Sequence, residues 1–89
     1  MIVPNIVLLT SYGCTPCLRV KRILSELQAE MPDLCVQEVE FKSASGATLS
    51  LKNNVLYPPA VFMDGRLLAK GKIDAQKMIE AIRESRGIS

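Results

Sequence analysis

The sequence predicts one α/β domain over residues 1–89, of order β-α-β-α-β-β-α, with a four-stranded mixed sheet and helices on both faces. Three observations predict it. Ile6-Val7-Leu8-Leu9 is continuously apolar, as a central strand covered on both sides must be. Cys17, Val20, Leu24, Leu27 and Met31 recur at spacings of three and four, the stripe of an amphipathic helix. Asp64-Gly65, between Ala60-Val61-Phe62-Met63 and Arg66-Leu67-Leu68-Ala69-Lys70, is the two-residue signal of a hairpin. A chain of this size removes roughly 60–65% of its unfolded surface from water, enough for a small core without staples.

The first strand spans Ile6 to Thr10. The helix after it runs from Pro16 through Met31, with Arg19, Arg22, Glu26 and Glu30 off the apolar stripe. It ends near Pro32-Asp33, because a proline forces its predecessor out of the helical region. Cys35 to Phe41 is the second strand, with Val39 and Phe41 on one face. Strand, helix and strand imply a right-handed crossover and a parallel pair. Ser45 is the expected cap of a short helix carrying Ala47, Leu49 and Leu51 and ending at Asn53-Asn54; Gly46, Thr48 and Ser50 make it a weak one. Pro58-Pro59 opens the third strand, and the hairpin returns to Gly71. Asp74 then N-caps a last helix with Ala75, Met78, Ile79 and Ile82 on its apolar face and Gly87 just past its end.

The chemistry lies in Tyr12-Gly13-Cys14-Thr15-Pro16-Cys17, where strand gives way to helix. Cys14 falls at the helix N-terminus, where unpaired N–H groups and the macrodipole favour a thiolate. A Cys-x-x-Cys at a strand-to-helix junction in a βαβ context reads as a redox motif. The two cysteines share a side of the first turn, with Cys17 on the buried stripe and Cys14 at its mouth. The spacing thus makes Cys14 the attacking sulfur and Cys17 the one that waits. Arg19, Lys21 and Arg22 either form a solvated helix face or add positive potential near Cys14. Pro16 sits in the first turn, where its missing N–H costs little.

Composition narrows the alternatives. A net charge of +2 and 4% aromatic residues give no footprint for nucleic acid. No stretch approaches the ~20 apolar residues of a membrane span, and Met1-Ile2-Val3-Pro4-Asn5 has no basic leader region. A cytoplasmic monomer is therefore expected. Three cysteines without histidine do not make a four-ligand zinc site, so no metal is expected. Cys35, the odd thiol, is expected to be a small buried hydrophobe.

Three stretches resemble the glutaredoxin and small-thioredoxin families. Cys14-Thr15-Pro16-Cys17-Leu18-Arg19-Val20-Lys21-Arg22-Ile23-Leu24 is similar to a glutaredoxin active site running into its helix. Pro59-Ala60-Val61-Phe62-Met63-Asp64-Gly65 is similar to the cis-proline, strand and turn, and Gly71-Lys72-Ile73-Asp74 resembles the loop into the last helix. The resemblance implies the thioredoxin fold and thiol–disulfide exchange. Cys14 would be the nucleophile, Cys17 the resolving thiol and Pro59 a cis-proline facing their disulfide. Tyr12, Thr15, Pro16, Pro58, Pro59 and Asp74 are the implied substrate contacts. Thr15 either donates its hydroxyl to the thiolate or is simply a small residue that fits; Asp74 either holds a glutathione amino group or only caps its helix.

Departures from both families matter as much. The buried acid that thioredoxins place six residues before the first cysteine is Leu8 here, as in glutaredoxins, and Tyr12-Gly13 replaces the thioredoxin tryptophan. The glutaredoxin lysine for a glutathione carboxylate is missing from Thr10-Ser11-Tyr12-Gly13. Pro58, preceding the cis-proline, has no N–H to pair with a bound cysteine backbone. The leading expectation is a dithiol carrier reducing protein or low-molecular-weight disulfides, recharged by a reductase or by glutathione, with no resident cofactor. A thioredoxin-fold binding module without redox turnover is the alternative.

Overall fold

The computed structural model describes residues 4–87, so the reading of Met1-Ile2-Val3 as no leader falls outside the described residues. Seven elements follow in the expected order: β1 (Asn5–Thr10), α1 (Thr15–Glu30), β2 (Cys35–Glu40), α2 (Ala44–Lys52), β3 (Ala60–Met63), β4 (Arg66–Lys70) and α3 (Ala75–Gly87). The sheet order is β2-β1-β3-β4, with β1 and β2 parallel and the other two pairs antiparallel.

Apolar β1 lies at the centre because it is covered twice. Ile6 and Leu8 pack with Val20, Leu24, Leu27 and Met31 of the α1 region and with Ile73, Met78 and Ile82 around α3. Leu9 and the half-buried Val7 turn to the other face, with Val39, Phe41, Leu49 and Phe62. The period of two along a strand divides one apolar run between two cores. Arg83 clasps Glu30 through Nε at 2.8 Å and Nη2 at 2.6 Å, tying α3 to the end of α1 and raising the arginine's already high pKa.

Four local expectations need correction. The cap of α2 is Ser43, not Ser45: its Oγ accepts the Gly46 N–H at 3.0 Å. The inward face of α2 is Gly46 and Ser50, four apart, with Leu49 half-buried beside them, while Leu51 is 84% exposed. Residues 47, 49 and 51 are spaced by two, which does not make a helical stripe. Gly46 is required for packing, since a Cβ there would collide with the Glu40 carbonyl oxygen and meet that of Phe41 at 2.8 Å. Gly87 closes α3 instead of following it. Cys35 is exposed, not buried, because it opens an edge strand opposite Asn5.

The Asp64-Gly65 hairpin forms as expected, with φ of 51° and 85°, the left-handed pair that a two-residue turn requires. Asn5 N–H donates to Asp64 Oδ1 and Asp64 N–H to Asn5 O, both at 2.9 Å, so the hairpin is clasped to the start of β1. The Cys-x-x-Cys leaves the other end of β1.

Candidate functional site

A tight turn carries the chain from β1 into α1. Cys14 N–H donates to Ser11 O at 3.2 Å, and Gly13 sits third in the turn at φ 78°, a conformation that glycine adopts without strain. The turn hangs from the end of β2: Phe41 N–H donates to Thr10 O at 2.7 Å and Ser11 Oγ to a Glu40 carboxylate oxygen at 3.3 Å.

Cys14 is itself the N-cap of α1. Its Sγ accepts the Cys17 backbone N–H at 3.2 Å, so the sulfur stands where helices place an anion. The first turn holds no acidic residue to oppose negative charge there. Cys14 and Cys17 form a disulfide across 5.2 Å between Cα atoms. Cys14 is half-buried, whereas Cys17 is 2% exposed and belongs to the buried stripe. The Cys14 side of the disulfide thus reaches the surface, and the Cys17 side is covered.

Under the disulfide the interior is apolar. Leu8, which occupies the position expected for an acid in thioredoxins, is fully buried in the same cluster as Val20 and Leu24. Ser50, on α2, is the buried polar residue among those described; no buried carboxylate accompanies Cys17. Its hydroxyl is satisfied by the Gly46 carbonyl.

The Pro58–Pro59 peptide bond is cis, and Pro59 is buried, its carbonyl accepting the Gly71 N–H at 2.9 Å. A groove of about 320 Å³ joins this turn to the motif; Pro16, Arg19, Tyr57, Pro58, Lys72 and Ile73 are among its lining. Arg19 Nη1 donates to Ile73 O at 3.3 Å, fixing the loop before α3 against α1.

The other sequence-predicted residues are placed as follows. Tyr12 is fully exposed at the tip of the turn. Thr15 and Pro16 are exposed on the first turn of α1. Pro58 is half-buried at the groove. Asp74 is exposed and caps α3, Oδ1 accepting the Lys77 N–H at 3.1 Å. Tyr57 and Lys72 line the groove without having been singled out. Their signal was adjacency, Tyr57 to Pro58-Pro59 and Lys72 to the Gly71-Ile73-Asp74 loop.

Compared by sequence, the chain matches no family profile and no curated protein. Compared by structure, it is similar to thioredoxin O2 of Arabidopsis thaliana in its oxidised state, with a TM-score of 0.70 and 21% identity over 92% of this chain and 74% of that one. Thioredoxin f2 of Chlamydomonas reinhardtii gives 0.71 and 18% over 98% and 82%. A thioredoxin of Trypanosoma brucei brucei gives 0.68 and 20% over 94% and 75%. Such likenesses speak for architecture, and the architecture is the thioredoxin fold expected from the sequence.

Proposed function

We propose that this chain is a thiol–disulfide oxidoreductase, a dithiol carrier that reduces disulfides of proteins or small molecules through a reversible Cys14–Cys17 couple. The observation that carries the proposal is the asymmetry of the pair: the Cys14 sulfur caps α1 and meets solvent, and Cys17, bonded to it, is buried. The N-terminus of α1 and the Cys17 N–H both face the Cys14 sulfur, an arrangement that favours negative charge at that atom.

In the reduced protein the Cys14 thiolate attacks one sulfur of the substrate disulfide. The bond between Cys14 and that sulfur forms, and the other substrate sulfur leaves as a thiolate. Cys17 then loses its proton, attacks Cys14 Sγ and expels the second substrate thiolate. Two electrons pass from the dithiol to the substrate, and the departing thiolates take up protons. With Leu8 where a carboxylate could serve, the Cys17 proton goes to water or to the leaving thiolate.

An external reductant returns the electrons, either a reductase or glutathione, and Pro58 leaves glutathione one backbone bond short, worth about 0.5–1.5 kcal/mol. No resident cofactor enters the cycle, and the carrier acts as a cytoplasmic monomer. Among the described residues, no helix is long and apolar enough to cross a membrane.

Equilibration in glutathione redox buffers, read by thiol alkylation, tests the couple. A potential near about −270 mV supports a reductase-fed carrier of thioredoxin type, and about −200 to −230 mV supports glutathione coupling of glutaredoxin type. Absence of any reversible Cys14–Cys17 disulfide would sink the proposal and leave the binding module. Cys14→Ser is expected to abolish turnover, and Cys17→Ser to trap the substrate as a mixed disulfide.

A further inference from the structure

We propose that the groove beside the disulfide docks an extended acidic segment of the protein substrate, selected by Lys72 and Arg19; this rests on the exchange activity above. The groove continues past Tyr57, Gly71 and Lys72 into a second hollow of about 280 Å³, lined also by Asn54, Leu56 and Lys70. The continuous path therefore carries Arg19, Lys70 and Lys72 and, among the described residues, not one carboxylate.

Those cations are not spent on carboxylates of the fold. Among the described residues, the ion pairs are Lys21–Glu38 and Arg83–Glu30, both away from the groove. Arg19 gives one N–H to Ile73 O, and Lys70 Nζ donates to Asn54 O at 3.0 Å; backbone carbonyls orient both side chains without neutralising them. Apolar surface lies alongside, with Leu56 81% and Tyr57 63% exposed. Pro58 offers an entering backbone an acceptor but no donor, so peptide pairing alone orients a substrate poorly. Carboxylates on the substrate, meeting Lys72 and Arg19, supply the missing orientation.

Partly exposed ion pairs of this kind change affinity by roughly two- to fivefold each, so two together give about tenfold at low salt. The advantage fades as the screening length shrinks to about 10 Å at 0.1 M salt.

The test uses two self-quenched fluorescent disulfide dimers of one extended peptide, with glutamates flanking the cysteine in one and glutamines in the other. The reduced protein is expected to reduce the glutamate peptide about tenfold faster at low salt, with the ratio collapsing toward unity at high salt. Lys72→Gln should cut the ratio two- to fivefold, and Lys72→Glu, which sets one repulsion against the attraction of Arg19, should bring it to about unity. Arg66→Gln, in the hairpin at the far end of the sheet, removes the same charge and should leave the ratio alone. Equal rates for the two peptides, or an Arg66→Gln effect as large as that of Lys72→Gln, would overturn the docking proposal while the exchange activity stood. Cysteine-free versions of the peptides, titrated against the oxidised protein, read docking without turnover. Selective binding there with no reduction of either dimer would uphold docking and fail the redox reading; no selectivity in either assay would overturn docking.

Discussion

Replacing Gly46 by alanine sets two effects of similar size against each other, and the structure says which wins. Alanine is the better helix former by about 1 kcal/mol in a helix interior, and less at the third position of α2. Against that gain, the new Cβ collides with backbone: the Glu40 carbonyl oxygen first, then Phe41 O at 2.8 Å and Glu40 C at 2.9 Å. Backbone cannot swing aside as a flexible side chain can, so α2 must move off β2, and overpacking of this kind costs about 1–3 kcal/mol. The shift also disturbs the Ser43 cap, whose Oγ takes the Gly46 N–H at 3.0 Å and whose loss is worth about 1 kcal/mol. The net expectation is a loss of about 1–3 kcal/mol, or roughly 5–20 °C in Tm for a domain of this size. Urea unfolding followed by circular dichroism reads it as a lower midpoint with an unchanged slope. A midpoint equal to or above that of the parent protein would refute the close-approach argument and hand the site to helix propensity.

Asp74→Ala should lower stability by about 1 kcal/mol in the same assay, since it deletes the side-chain acceptor for the Lys77 N–H. A charge-neutral readout separates capping from any substrate role: Asp74→Ser keeps the cap and should recover most of the stability. In the oxidised native protein a thiol-specific reagent should modify Cys35, which is exposed, and leave Cys14 and Cys17 untouched. Peptide mapping that found Cys35 protected would contradict its placement at the opening of an edge strand. Tyr12→Ala should leave the unfolding free energy within about 0.5 kcal/mol, because the ring is fully exposed, and slow disulfide reduction if the ring meets substrate.

The parts of the fold legible in the sequence were those set by strong periodicity or by backbone chemistry. The α1 stripe was visible because five apolar positions kept one face from Cys17 to Met31, and all five are buried. The hairpin was visible because Asp64-Gly65 tolerates left-handed backbone, and the cis bond at Pro59 followed from the resemblance. Alternating packing on two faces of β1 explains why its apolar run was read correctly as central. By contrast, α2 was misread because its inward residues are a glycine and a serine, which carry no hydrophobic signal. Packing there comes from close backbone approach, which sequence patterns do not display. Cys35 was misread for a related reason: composition makes a lone cysteine look like core, and only sheet order reveals an edge. The dithiol was legible as a motif; the groove beside it was not, since Arg19, Tyr57 and Lys72 come from three separate stretches of chain.

Cys35 and Cys14 leave the sheet at opposite ends. Cys35 stands across from Asn5, and Cys14 follows the turn beyond Thr10, so the length of β1, roughly 16 Å, separates them. The protein thus comes with a handle on the side away from its chemistry. A maleimide linker on Cys35, attached while the disulfide is intact, would anchor each molecule to a surface in one orientation with the Cys14–Cys17 pair turned outward. An electrode or sensor chip coated in this way would present a uniform layer of redox centres without an engineered tag.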